Sequence, residues 1–348
     1  MLGYWILIGI PTLLSFAGIR KRKDLNMGLF IVGFVYLIFI GLRYEVGADR
    51  VAYAEMYDNI ASLSFQNALL YTESGFAALN WVLAQMDAGV YWVNFIVAII
   101  FVSGLIQFAK RTPLPWLALI SVTPYLVIAV AMSGVRQSAA IGLVFHLMAS
   151  WRKGLVIKLF FSLVAILFHY SALMSLIFVQ QSVKMPVWFR VSLLSLGAIA
   201  MYPILSTTDA YAKYNQTYLE DNIVSSGALM HVLLNAIPAA IYLLLSRKWK
   251  AKFGESDFLP MLSVLSIASV FGVGVSSTGI DRLALYLSPI QMIVYGSLPL
   301  VFGRQHTTKL SLAIVGLHLI ILFWWLNYAN TAFAFLPYNN LIIHWLVD

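Results

Sequence analysis

A chain of 348 residues that is 61% hydrophobic and 10% charged carries far fewer charges than the roughly 25% of soluble domains, which excludes a soluble globular enzyme. The formal charge of +8 does not point to nucleic acid, because the basic residues stand in short clusters between apolar runs, the distribution of a multi-pass membrane protein. The chain has no cysteine, which excludes disulfides, thiolate catalysis and cysteine-held metals.

A membrane span takes about 20 mostly apolar residues, since each adds about 1.5 Å toward a hydrocarbon core of roughly 30 Å. In chain order, apolar runs fall near 2–19, 26–42, 91–109, 114–132, 137–150, 155–168, 170–183, 187–205, 228–246, 258–275, 283–302 and 310–328. They predict an all-α polytopic integral membrane protein with about 12 transmembrane helices (range about 10–14) in a single transmembrane domain over 1–348. The first run lacks a basic n-region and reads as a retained span with its N-terminus outside. Residues 74–90 are too short and interrupted for a span and read as a half-helix or interfacial helix. Residues 155–183 must go out and back with about 14 residues per leg, which predicts short or re-entrant helices with His169 near the apex. No internal repeat is visible.

Orientation follows from the basic clusters Arg20-Lys21-Arg22-Lys23, Lys110-Arg111, Arg152-Lys153 and Arg247-Lys248 with Lys250 and Lys252. With these in the cytoplasm, only Arg43, Arg50, Arg136, Lys213 and Arg282 of the 22 basic residues lie outside. Of the 14 acids, only Asp24, Glu255 and Asp257 lie inside. Two larger outer loops result, near 43–74 and 206–227. The chain contains no G-x-x-x-x-G-K-[ST], H-E-x-x-H or G-x-S-x-G, so an ATP-driven pump, a zincin and a serine-hydrolase elbow lose support.

Unusual chemistry collects on this outer face, in RYEVGADRVAYAEMY (43–57), SGVRQSAA (133–140), LFHYSAL (167–173) and STGIDRLALY (277–286). Arg136 and Arg282 sit near the outer starts of spans. Each, alone, could be an arginine snorkelling to headgroups or pairing with an acid such as Asp281. Four outer arginines against one lysine favour bidentate phosphate recognition, helped by helix N-termini. Among the histidines, His146 and His318 read as core residues and His306 as cytoplasmic; His231 and His344 lie near outer interfaces with nothing else marking them. His169, flanked by Tyr170 and Ser171, is either a general base or a structural hydrogen-bonding group. Tyr211, Tyr214 and Tyr218 form a stripe at i, i+3, i+7 that serves either as an interfacial anchor or as a sugar platform; Tyr53 is a further sugar-contact candidate.

The stretches RYEVGADRVAYAEMY, GVRQSAAIGLVFHLM, ILFHYSALMSLIF, DRLALYL and FLPYNN resemble, in that order, the EpsG-like branch of the Wzy-type polysaccharide polymerases. The resemblance spans nearly the whole chain; Ala48 departs from the threonine often found there. It implies a fold like that of GT-C membrane glycosyltransferases in a bacterial inner membrane, with the active site facing the periplasm. It also implies an enzyme that moves a growing undecaprenyl-diphosphate-linked glycan onto the next lipid-linked repeat unit. Partners would be that lipid-linked oligosaccharide as donor and acceptor, membrane lipid, a chain-length regulator and a flippase of the same pathway. No cofactor, metal or nucleic acid is expected. Arg136 and Arg282 would hold the donor diphosphate. Arg43 and Arg50 would bind a second phosphate or orient the loop against Asp49 and Glu45. Gly47 would permit the turn presenting Asp49, Gln137 and Tyr286 would bond phosphate or sugar, and His169, then Asp49, are the base candidates. Two other classes stay open: a flippase or exporter of the same lipid-linked glycan, and another outer-face glycan transferase or ligase.

Overall fold

The computed structural model describes residues 1–18, 21–181, 227–256 and 258–347. The expected span 187–205, the loop 206–227 with Tyr211, Tyr214 and Tyr218, and Arg20, Lys213 and Asp257 lie outside the described residues.

Among the described residues the fold is all-helical, with one isolated antiparallel bridge between Arg43 and Asn340 and no strand. Helices α1 (Leu2–Phe16) and α2 (Arg22–Gly41) are followed by three short helices, α3 (Arg50–Ala61), α4 (Phe65–Tyr71) and α5 (Ser74–Gln85). Next come α6 (Val90–Ala109), α7 (Pro115–Ser133), α8 (Val135–Ala149), α9 (Leu155–Phe168) and α10 (Tyr170–Gln180). After the undescribed segment run α11 (Ala228–Leu244), α12 (Ser246–Phe253), α13 (Leu259–Gly272), α14 (Ser277–Leu287), α15 (Pro289–Val301), α16 (Thr307–Tyr328) and α17 (Leu341–Val347).

Four of the described helices, α2, α6, α7 and α16, are long and apolar enough to cross a membrane; counting two bent pairs as single spans makes six. The other apolar runs are shorter helices of 10–17 residues, which at about 1.5 Å per residue fall short of a hydrocarbon core. Among the described residues the helices thus show four to six crossings of full length, and the expected twelve are not shown. The run at 170–183 opens as a tight 3-10 turn over Tyr170–Met174. The run expected at 283–302 begins earlier, at Ser277, because Ser276 caps it by accepting the Gly279 N–H at 3.3 Å. It then bends by 46° before Pro289, whose missing N–H breaks the ladder. The stretch 74–90 forms the 12-residue α5, a half-helix as its length predicts.

Packing is closest between α6 and α8. A Cβ on Gly104 would stand 2.0 Å from the Gly142 carbonyl oxygen, so the pair of glycines lets two backbones touch. Within α7, residues Thr123–Val130 widen into π-helical turns beginning at Thr123–Pro124, the register that accommodates a proline inside a span. Large apolar side chains remain exposed on α2, α9, α13 and α16, among them Phe30, Phe160, Phe271 and Ile320, as faces that meet lipid require.

The C-terminal FLPYNN stretch closes over the start of the 43–57 segment. Tyr4 donates its hydroxyl to Phe335 O, Tyr338 to Phe39 O at 3.0 Å, and Asn340 donates from Nδ2 to Ile38 O at 3.1 Å. The backbone then pairs directly, Tyr44 N–H to Asn339 O and Leu341 N–H to Leu42 O. Chain ends some 300 residues apart in sequence thus form one buried joint.

Candidate active site

The break between α7 and α8 at Gly134 starts α8 with Val135, Arg136 and Gln137 in its first turn, where backbone N–H groups have no intrahelical acceptors. The Arg136 N–H finds the Tyr53 hydroxyl at 3.4 Å, and the Tyr53 ring lies 5.8 Å from the guanidinium carbon. Tyr53 is nearly buried and packs edge-on to Phe76. It therefore packs on an arginine, and its contact with sugar remains a proposal.

The Arg136 side chain reaches a partner that the sequence did not single out. Its Nη1 donates to Glu73 Oε2 at 2.7 Å and to the Thr72 hydroxyl at 2.9 Å, and that hydroxyl donates to the same Glu73 oxygen at 2.7 Å. Glu73 is the N-cap of α5 and is 4% exposed, where the helix dipole favours a carboxylate. Burial alone would push this carboxyl up. The Arg136 guanidinium, followed by His169 and the Thr72 hydroxyl, outweighs burial and holds it down at about 2. The Arg136 Nε, in contrast, is buried with no hydrogen-bond partner, an arrangement that costs about 1–3 kcal/mol unless something accepts from it.

Gly75 explains why Glu73 comes so near the histidine. A Cβ there would lie 2.9 Å from the Leu167 carbonyl oxygen, so only glycine lets the start of α5 touch the end of α9. His169 follows at the break between α9 and α10, outside both helices. Its Nδ1 accepts the Ser171 N–H at 3.2 Å and the Ser171 hydroxyl at 2.8 Å, and Ser171 Oγ in turn accepts from the Tyr286 hydroxyl at 3.0 Å. A nitrogen that accepts a backbone N–H carries no proton, so neutral His169 bears its proton on Nε2. Burial pushes the imidazole down to about 4; Glu73 pulls it up, while Arg136 and Arg282 push it down, so it is neutral at pH 7.

Arg282 lies within electrostatic reach of His169 and Tyr286. It is the sixth residue of α14 and not a helix start as expected, since α14 begins at Ser277. Its carbonyl oxygen accepts from Gln137 Nε2 at 2.8 Å, which ties α14 to α8. The expected set Arg136, Gln137, His169, Arg282 and Tyr286 therefore converges, joined by Ser171, Thr72 and Glu73.

The 43–57 segment is only partly in this cluster. Arg43 is 5% exposed and donates to Ile40 O at 2.6 Å, Val46 O at 3.2 Å and Asn94 Oδ1 at 3.2 Å. It orients the loop through carbonyls, and not against Asp49 or Glu45. Gly47, at φ +116, donates its N–H to Ala334 O at 2.9 Å, and a Cβ there would stand 2.2 Å from Met132 O, so the turn before Asp49 does require glycine. Asp49 is exposed and accepts from Ser133 Oγ at 3.1 Å, three residues before Arg136. Glu45 and Arg50 are exposed and lie within electrostatic reach of Tyr91.

A second polar cluster flanks the first. Asp281 Oδ1 accepts from the Tyr125 hydroxyl at 3.3 Å and meets His231 Nδ1 at 3.0 Å, with His231 stacked on Tyr125. His231, unremarkable in sequence, thus anchors the residue beside Arg282. His146 bonds Ser103 Oγ and His318 bonds Ile314 O, as core histidines do. Among the described residues, no three His, Cys, Asp or Glu side chains come together as metal ligands.

No curated protein and no solved structure matches the chain. A model of the EpsG family matches residues 27–340, a range that holds every residue of the cluster. The apolar helices agree with a membrane protein, and the family with polysaccharide biosynthesis on lipid-linked polysaccharide in general. The chain belongs to the EpsG family, a family of Wzy-like polymerases.

Proposed function

We propose that this protein is a membrane glycosyltransferase that polymerises lipid-linked repeat units, moving a growing glycan from undecaprenyl diphosphate onto the next unit at the outer face of the bacterial inner membrane. The observation that carries this reading is Arg136, whose Nη1 is taken by Glu73 and Thr72 while its Nε is buried and unpartnered. A diphosphate oxygen would supply the acceptor this N–H lacks. Arg282, across His169, supplies a second cation, and together the arginines stabilise the charge that develops as the lipid diphosphate departs, without need of a metal. His169, carrying its proton on Nε2, donates to that same leaving group. Asp49, Glu45 and Arg50 stand at the exposed loop, where Arg50 contacts the phosphate of the incoming unit. The proposed topology retains about 12 crossings in a GT-C-like arrangement, with the shorter helices crossing beside longer neighbours.

The test uses the full chain in liposomes with a defined undecaprenyl-diphosphate-linked repeat unit and no nucleotide sugar or added metal. Gel-resolved chain growth that is lost in Arg136→Ala and Arg282→Ala supports a polymerase. Transfer of the lipid between leaflets without chain growth would instead make the arginines a transport site, and a single transfer onto a different acceptor would indicate a ligase.

A further inference from the structure

We propose that Glu73 is the general base of the reaction, taking the proton from the attacking hydroxyl of the acceptor sugar. The inference rests on the polymerase reading. Chain growth by glycan transfer needs such a base, and the two other acids and bases near the cluster are poorly suited. His169 has Nδ1 filled by the Ser171 N–H and hydroxyl, so its other nitrogen, Nε2, is a donor. Asp49 is exposed to water and held by Ser133. Glu73 is a buried carboxylate at a helix start, bonded through Oε2, and is the acid that both Arg136 and His169 sense.

The groups facing Glu73 are Thr72 on its own turn, Arg136 from α8, His169 and Tyr170 from the α9–α10 break and Tyr286 from α14. Arg136 is what keeps the carboxylate weakly basic. A diphosphate that accepts from Arg136 loosens this hold and brings negative charge close. Both changes raise the proton affinity of a carboxylate that burial already favours in its neutral form. The base is thus strengthened when donor is bound and stays weak in its absence, which limits loss of the donor to water.

In the step itself the acceptor oxygen bonds to the anomeric carbon of the donor glycan as its proton passes to Glu73. The bond from that carbon to the phosphate oxygen breaks, and its electron pair leaves on the lipid diphosphate, paired with Arg136 and Arg282. Release of the lipid returns Arg136 to Glu73, whose proton is then lost to solvent.

The experiment measures kcat and donor KM for chain growth in liposomes, with folding followed by thermal unfolding. Glu73→Gln is expected to lose kcat on the order of 100-fold or more while donor KM stays within about threefold. Glu73→Ala is expected to regain chain growth in added formate, a small carboxylate that fits the space left. Glu73→Asp, which keeps the charge beside Arg136 and the fold that depends on it, is expected to lose kcat about tenfold at unchanged KM. Normal kcat in Glu73→Gln overturns the proposal. So does a parallel loss of kcat and donor affinity in Glu73→Gln and Glu73→Asp, with no formate rescue of Glu73→Ala, which would make Glu73 only the counter-ion of Arg136. Wild type without chain growth would overturn the polymerase reading itself, whereas chain growth in both wild type and Glu73→Gln would overturn the base alone.

Discussion

Arg43 and Arg136 occupy similar places in sequence, each following or opening an apolar run, yet the structure uses them in opposite ways. Arg43 spends its donors on two backbone carbonyls and Asn94. Arg136 is held from one side by Glu73 and Thr72 and keeps a buried Nε without an acceptor. A guanidinium satisfied by its own protein is a staple; one left partly unsatisfied suits the ligand role proposed for Arg136. The distinction lies in the acceptors and in burial, Arg43 being 5% exposed and the Arg136 side chain 25%, and not in residue type.

The widest separation between the two should come from conservative substitution. Arg136→Lys keeps the charge and loses the fork, and chain growth is expected to fall on the order of 100-fold in the liposome assay; growth within a fewfold of wild type would dissolve the contrast. Arg43→Ala leaves two buried carbonyls without donors and should destabilise by roughly 3 kcal/mol, read as a lower denaturation midpoint in detergent. Its folded fraction should bind donor normally, since Arg43 is expected to touch no substrate.

Gly75→Ala sharpens the comparison from the other side of the cluster. The added methyl meets the Leu167 carbonyl and must push α5 from the α9 end, at about 1–3 kcal/mol. Chain growth should drop about tenfold, because Glu73 and His169 separate. A pH series tests the Glu73 pairing. Its carboxyl is held at about 2 against an ordinary 4.5, so its contribution to stability is complete above about pH 4.5 and is lost as pH falls toward 2. Glu73→Gln should flatten the acid side of the stability curve; an unchanged acid midpoint would mean the pair contributes little. The smallest effect is expected for Arg50→Ala, an exposed and solvent-screened cation. Acceptor KM should rise only a fewfold, with kcat and thermal stability unchanged.

The candidate cluster was largely legible from local residue patterns. GVRQ, FHYS and DRLALY supplied Arg136, Gln137, His169, Arg282 and Tyr286, because arginine, histidine and tyrosine beside apolar runs are conspicuous where charge is scarce. Glu73 was not legible, since it stands in an ordinary polar stretch and its partner lies 63 residues further on. His231 escaped for the same reason, being 50 residues from Asp281. The contact of Tyr53 with Arg136 was not legible either, because a tyrosine's type does not reveal which face is covered. The bend inside 283–302 was not legible, because hydropathy sums composition across a break in the helix.

By itself, the sequence determined the medium and the class: scarcity of charge requires a bilayer, run lengths require helices, and ordered motifs mark a polysaccharide polymerase. It also determined that residues 74–90 are too short to cross, because rise per residue is a constant of the helix. Only the tertiary structure decided which arginine is a staple and which is left with a donor to give. Hydrogen-bond acceptors come mostly from backbone carbonyls and distant side chains, and these are brought into place by packing: Gly75 against Leu167 for the cluster, and the FLPYNN segment against the end of α2 for the loop.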